Sequence, residues 1–348
     1  LTVAYLLRQP KENTMKKFLN KAEDFVDEML EGIYAAHPRQ LAYVAEDRRC
    51  LVSTHRVKGK VGLATGGGSG HLPLFLGYVG AGLLDGAAVG GVFQSPSADQ
   101  MFEVTKAIDQ GAGVLYIYGN YTGDILNFDM ATEMAEIENI KVLSVIGNDD
   151  VASSPVGQEH KRRGVSGIVF VYKAAGAAAA EGMTLDDVQR VAEKAKSHTR
   201  TMGVALSSCI VPEIGRATFS IGENEMEIGM GIHGEPGIRR GALLPADEVV
   251  VEMMRPILAE KPAGSGNEVA VLVNGLGATP KEELYILFRK VAEVLKEHGI
   301  SVFHAYVGEF ATAMEMAGAS ISLLFLDDEL KRLIAAPANS PFFVQHQL

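Results

Sequence analysis

Apolar positions along this chain fall into short unbroken runs and into helical stripes, and glycine-rich polar stretches separate them. The runs at 60–65 (KVGLAT), 113–118 (GVLYIY) and 141–146 (KVLSVI) predict buried strands, because a strand covered on both faces need not alternate. Helical spacing predicts helices over 15–36, 128–138 and 185–197, a glycine-interrupted helix at 72–84 and an alanine-rich one at 174–181. The run at 167–172 (GIVFVY) reads as a strand or as the start of a buried helix. Strand, glycine loop, helix, strand is the order of an α/β unit with a largely parallel sheet.

Near residue 200 the pattern changes. Strands are predicted at 203–211 and 226–230 with no long helix between them. A helix at 248–258, a strand at 268–273 and an amphipathic helix at 281–297 follow. Then come strand, short helix and strand at 301–307, 311–316 and 320–326, and a last helix at 327–335. The fold class is therefore α/β, as two α/β domains, one over 15–199 and one over 200–348, the second α/β or α+β. Residues 1–14 precede Met15-Lys-Lys-Phe, which reads as a start, and form an extension. Their apolar run has no basic segment before it and no small-residue cleavage site, so it makes a poor signal peptide.

At 348 residues the chain is too long for one ordinary core. Its net charge of −11 argues against general nucleic-acid binding, which needs a basic face. The two cysteines, Cys50 and Cys209, have no metal-ligand spacing, so neither a disulfide framework nor a metal site is implied, and a cytoplasmic location is expected. No apolar run reaches the roughly 18–20 residues of a membrane span. The 38 glycines are the unusual feature, and they cluster between the apolar runs.

Three glycine-rich stretches carry candidate chemistry. Gly229-Met-Gly-Ile-His-Gly-Glu-Pro-Gly237 is either a strand end and turn or a place where backbone approaches a ligand and His233 points into open space. Gly66-Gly-Gly-Ser-Gly-His71 follows a predicted strand. It lacks the Gly-Lys-Ser/Thr ending of a phosphate-binding loop and the spacing of a dinucleotide fingerprint. It is a turn, or a loop whose free N–H groups meet a small polar ligand, with His71 as acid or base. Gly119-Asn-Tyr-Thr-Gly-Asp124 ends in a carboxylate that is either a helix N-cap or a partner for a histidine or a hydroxyl. Asp149-Asp150 reads as a solvated acidic pair rather than a metal site. His160-Lys-Arg-Arg163 reads as a solvated helix face or a docking point for phosphate or an acidic partner. His37, His55, His198 and His298 sit in polar contexts, and His304 reads as a core residue.

Taken in order, these stretches resemble a known family. TGGGSGH at 65–71, SPSADQMFE at 95–103, NYTGDILNF at 120–128, RRGVSG at 162–167, NEMEIGMGIHGEPG at 224–237, VNGLGATPKEELY at 273–285 and VGEFATAMEMAGASISLL at 307–324 are similar to the substrate-binding subunit of dihydroxyacetone kinase. The resemblance covers essentially all of 15–340. It implies two α/β domains, a homodimer, and a covalent hemiaminal between a histidine, here His233, and the ketone carbon of dihydroxyacetone. It carries substrate contact onto Gly68, Ser69, Gly70, His71 and Asp124, with His71 as general base. It implies no cofactor on this chain. ADP or ATP with magnesium is expected on a separate nucleotide-binding L subunit, and a phosphotransferase-system protein is a possible donor. The family usually has a lysine where this chain has Gly119, and that change removes a cation and is expected to leave room for a larger ketose such as erythrulose. Some members of the family are non-catalytic ketone sensors that activate a transcription regulator, which is the alternative reading.

Overall fold

The computed structural model describes residues 16–348; the expected extension over 1–14 and the start at Met15 lie outside the described residues. Helix α1 (Phe25–Ala36) and a hairpin of β1 (Leu41–Val44) and β2 (Asp47–Ser53) lead into the first sheet. It continues through β3 (Gly62–Ser69), β4 (Gly86–Val92), α2 (Ala98–Ile108), β5 (Val114–Gly119), α3 (Thr122–Ile137) and β6 (Val142–Gly147). The strand order is β1-β2-β4-β3-β5-β6. Strands β4, β3, β5 and β6 are parallel, and the hairpin joins one edge antiparallel. Helices α2 and α3 are the crossovers that parallel pairing requires.

Helices α4 (Ile168–Ala180) and α5 (Leu185–Ser197) lead to a second sheet. It holds β7 (Thr199–Ala205), β8 (Glu225–Ile228), β9 (Arg239–Ala242), β10 (Glu268–Gly275), β11 (Ser301–Gly308) and β12 (Gly318–Phe325), with α6 (Ala246–Ala259) and α7 (Lys281–Glu297) between strands. The order is β11-β10-β12-β7-β8-β9, and of its neighbouring pairs only β10 and β11 run parallel. Helix α8 (Asp328–Ala335) and the short pair β13 (Ala338–Asn339) and β14 (Val344–Gln345) return to the first half, where Asn339 N–H donates to the Ala81 carbonyl at 2.9 Å. The result is a mixed α/β molecule, as the pattern predicts.

One apolar core serves both sheets. It joins Leu63 and Leu115 of the first to Ala270 and Leu272 of the second. Helix α4 is central to it, with every residue from Ile168 to Ala179 buried. That burial explains why the run at 167–172 is continuously apolar without being a strand. Among the described residues no helix is long and apolar enough to cross a membrane.

Several predicted elements differ. Helix α1 starts at Phe25, not at 15, and Phe18 is fully exposed. The stretch 72–84 is a loop with a single 3-10 turn at Leu76–Tyr78, since Pro73, Gly77, Gly80 and Gly82 interrupt any helical ladder. Residues 311–316 are also a loop; the N–H groups of Thr312, Ala313 and Met314 bond to His71, Leu276 and Gly70, and one turn, Met316 to Ala313, closes within it. The glycine run is not a loop but the second half of β3, which extends to Ser69. Helix α3 begins six residues before the predicted 128, so the stretch ending at Asp124 includes its first turn. The β1–β2 hairpin, β4, α2 and β9 had no counterpart in the sequence pattern, because glycine and charged residues break their apolar runs.

Candidate active site

His71, Asp124 and His233 come together at the carboxyl end of the first sheet's parallel strands, where ligands of open α/β sheets bind. Strand β3 ends with the Ser69 hydroxyl donating to the Gly90 carbonyl at 2.8 Å. Gly70 then takes a φ of 96° and His71 turns inward, 1% exposed. Its Nδ1 lies 2.7 Å from the Thr312 carbonyl oxygen. A carbonyl has no proton to give, so Nδ1 carries the hydrogen and Nε2 keeps a lone pair. That Nε2 is buried without a partner. Burial and the neighbouring His233 push the imidazole down to about 3, against a partial pull from the Thr312 carbonyl, so His71 is neutral.

His233 sits in the loop after β8. Glu235 folds back beneath it: one carboxylate oxygen accepts the His233 backbone N–H at 2.9 Å, the other contacts Nδ1 at 2.8 Å. Burial would raise Glu235, but the hydrogen bond and charge of His233 outweigh it and hold the carboxyl at about 2. An ionised carboxylate fixes the hydrogen on Nδ1 and leaves Nε2 free. The His233 side chain is 23% exposed. Its ring packs edge-on against His71 and Tyr121, both at 4.7 Å between centroids, and against Phe93 at 5.3 Å.

Asp124 stands in the first turn of α3, but Tyr121 occupies the cap position, so Asp124 is not the N-cap. Its Oδ1 is buried and has no partner. Burial raises the carboxyl to about 6, with the Ser95 hydroxyl and the charge of His233 pulling the other way. Gly68 and Gly70 are half-exposed beside these groups. The backbone of Phe93 and Gln94 crosses 2.7 Å from where a Gly68 Cβ would stand, which excludes any side chain there.

The expected extra room at Gly119 is absent. A Cβ there would stand 2.9 Å from the Tyr121 ring. That ring lies across Gly119, donates its hydroxyl to the Gly164 carbonyl at 3.1 Å and braces His233.

Other candidates are structural. Asp149 and Asp150 are buried rather than solvated. Asp149 accepts the Val165 and Gly167 N–H groups at 2.9 and 2.8 Å, and Asp150 pairs with Arg163 at 2.7 Å. The basic cluster at 160–163 is split: His160 and Lys161 are exposed, while Arg162 and Arg163 turn inward to carboxylate partners. Arg162 is 1% exposed and bonds both oxygens of Glu260, at 2.7 and 2.8 Å. His304 lies half-exposed on the edge strand β11, not in the core. Among the described residues no cluster of metal-ligating side chains appears.

Phe93 escaped the sequence reading altogether, and Thr312, Tyr121, Ser95 and Glu235 were seen only as parts of motifs, with no role of their own. Glu235 was findable, since it lies two residues from His233. Thr312 was not, being 241 residues from His71. Concavity is no guide either: a hollow of about 320 Å³ lined by His55, Lys58, Gly80 and Gly82 lies at the other ends of the strands.

The Dak1 domain family model matches residues 31–342. The chain is 47% identical over 330 residues to the dihydroxyacetone-binding subunit DhaK of PTS-dependent dihydroxyacetone kinase 2 of Listeria innocua, covering 94% of this chain and 99% of that protein. It is 42% identical to an L-erythrulose kinase of Pectobacterium atrosepticum, over 94% of this chain and 56% of the relative. Among solved structures, the dihydroxyacetone kinase of C. freundii superposes with a TM-score of 0.86 at 33% identity, covering 94% of this chain and 60% of that one. A dihydroxyacetone kinase operon co-activator, Dha-DhaQ, superposes at 0.85 and 32% identity, over 94% and 100%. With such identity along nearly its whole length, the chain belongs to the DhaK family and is built on a Dak1 domain.

Proposed function

We propose that this chain is the substrate-binding subunit of a dihydroxyacetone-type kinase and holds a short ketose as a hemiaminal on His233. The observation that carries the reading is the His233–Glu235 pair, whose geometry leaves the His233 Nε2 lone pair free beside two unpartnered buried acceptors, His71 Nε2 and Asp124 Oδ1. In the addition, Nε2 bonds to the ketone carbon and the C=O π pair moves to oxygen. The ring, now an imidazolium, keeps its Nδ1 hydrogen against the ionised Glu235, and the new alkoxide takes up one proton from solvent. No water is lost, so the protein gains the ketone whole. Glycerol has no carbonyl to attack and is rejected.

With C2 anchored, a terminal hydroxyl is presented for in-line transfer. Phosphoryl transfer has a loose transition state, so the protein's task is positioning and charge. His71 Nε2 accepts the hydroxyl proton as general base, and Asp124 accepts from a second hydroxyl; Gly68, Ser69 and Gly70 form the adjoining wall. ADP or ATP with magnesium resides on a partner L subunit, with a phosphotransferase-system protein as the source of phosphate, and this chain works as a homodimer. Tyr121 covers Gly119, so the choice between dihydroxyacetone and erythrulose does not rest on extra room there; the likeness to an L-erythrulose kinase keeps erythrulose as a candidate beside dihydroxyacetone.

The likeness to the co-activator supports a second reading, a ketone sensor without turnover. Intact-mass spectra with dihydroxyacetone or erythrulose, followed by assay with a purified L subunit and donor, separate the two. The wild type is expected to gain one ketone and to turn over; His233→Ala does neither. Adduct without turnover identifies the sensor. If His233→Ala binds and turns over like the wild type, the reading is wrong.

A further inference from the structure

The group that fixes the hydrogen of His71 comes from the other sheet, although Phe75 and Phe93 of the first half pack on its ring. The Thr312 carbonyl that fixes its tautomer lies in the loop between β11 and β12. That loop runs beside the site: Thr312 N–H donates to the His71 carbonyl at 3.2 Å, Met314 N–H to the Gly70 carbonyl at 2.7 Å, and the Thr312 hydroxyl to the Leu72 carbonyl at 2.9 Å. Its own start is set by one side chain. Asn274, at the end of β10, is fully buried. Its Oδ1 accepts the N–H groups of Phe310 and Ala311 at 2.8 and 2.9 Å. Its Nδ2 donates to the Ala311 carbonyl at 2.7 Å and to the Ser320 hydroxyl at 3.0 Å. Both acceptor sites and both hydrogens of the amide are thus used, three of the four on the two residues just before Thr312.

A backbone turn this tightly specified would not be needed to fill space. A carboxamide is also the one side-chain group that offers two acceptor and two donor positions in a plane, which suits a reversing main chain. We infer that Asn274 is a positioning residue: it shapes the 310–314 loop so that the Thr312 carbonyl holds His71 in its Nδ1–H form, with the Nε2 lone pair kept for the substrate hydroxyl. Without Asn274 the two N–H groups and one carbonyl of 310–311 lose their partners in a buried place and the loop rearranges. His71 is then released to the other tautomer, in which Nε2 carries hydrogen and cannot accept. The kinetic consequence rests on the proposed function above; the tautomer does not.

The test uses the full chain, its histidines labelled with nitrogen-15, and two variants, Asn274→Ala and Asn274→Asp. The wild type is expected to show a slowly exchanging His71 Nδ1–H proton and a lone-pair Nε2 resonance near neutral pH. Asn274→Ala is expected to lose that proton and show mixed tautomers, while the His233 Nδ1–H signal persists. Asn274→Asp keeps the acceptors for both N–H groups but sets an oxygen against the Ala311 carbonyl, so an intermediate loss is expected. With an L subunit and donor, kcat is expected to fall about 10²-fold, as for a slightly misplaced catalytic group, with KM changed only a few-fold and the ketone adduct retained. A global packing defect would instead remove both histidine signals and the adduct together. Should Asn274→Ala not fold, Asn274→Asp carries the same comparison. A His71 spectrum and kcat unchanged from wild type in a folded variant overturn the inference. If the wild type forms no ketone adduct while the tautomer still depends on Asn274, the functional reading fails and the inference stands.

Discussion

Asp124 is held where a carboxylate is least comfortable. It is 5% exposed with one oxygen unpartnered, and burial lifts it to about 6. A carboxyl whose folded value lies above its unfolded one stabilises the fold below the unfolded value, near 4, and loses that contribution as pH rises through about 6. At neutral pH its charge is therefore a net cost, on the order of 3 kcal/mol at about 1.4 kcal/mol per pKa unit. Asp124→Asn is expected to raise the melting temperature at pH 7–8, with the gain vanishing below about pH 4, and to lower turnover by about 10²-fold or more. Melting curves at the two pH values check it; a variant that melts lower than wild type at pH 7 contradicts the account. His71 shows the same economy of site over fold, a buried imidazole whose second nitrogen has no partner.

At the scale of the element, β3 explains the glycine run differently from a loop. Its glycines let neighbours lie directly on the strand. At Gly67 a Cβ would stand 2.4 Å from two carbons of the Phe75 ring. Phe75 itself adopts a left-handed φ of 67°, and its ring meets the His71 ring edge-on at 6.0 Å. The glycine therefore makes room for an aromatic wall of the site rather than for backbone freedom. Gly67→Ala is expected to cost about 1–3 kcal/mol by overpacking. Phe75→Leu should recover part of that loss in the double variant, and a double-mutant cycle of denaturation free energies tests the coupling. Strictly additive effects would show that the ring does not set the requirement. Helix α3 belongs to the same scale: its early start, at Thr122, is what puts Asp124 in a helix's first turn, where the helix amino end offsets only part of the cost of burying its charge.

At the scale of the whole molecule, the carboxyl-terminal segment ties the halves together. Leu330, Leu333 and Ile334 of α8 are fully buried, and Ala338 and Phe343 nearly so. The buried Lys173 of α4 donates to the Leu333 carbonyl at 3.0 Å, its amine pushed down to about 8 by burial. Ser340 donates to the Gly77 carbonyl at 2.7 Å, closing the loop below His71. At roughly 1.5–3 kcal/mol per buried large side chain, the four largest together are of the order of a domain's whole stability, about 5–15 kcal/mol. Deleting 328–348 is expected to leave a chain that does not fold, by far-ultraviolet circular dichroism and size-exclusion chromatography. A truncated chain with native dichroism and a compact profile would refute this.

The sequence by itself determined the elements whose cause is local. Helices α5 and α7 carry an unbroken apolar stripe between polar faces and fall where the spacing predicts, over 185–197 and 281–297. The parallel strands β5 and β6 are unbroken apolar runs and were equally legible. The order of motifs also carried the family, since His71, Asp124 and His233 each lie in a distinctive local string. Tertiary structure decided what depends on distant neighbours. The glycine run is a strand because β4 pairs with it, Gly66 with Ala88 and Gly67 with Val89. Asp149, Asp150 and Arg162 are buried, and Arg163 is partly so, because each finds its hydrogen-bond or charge partner across a fold no spacing reveals. Gly119 gives no extra space because Tyr121 turns back over it. The tautomer of His71 is set by a carbonyl 241 residues away, since hydrogen bonds depend on position in space and leave no periodic trace in the chain.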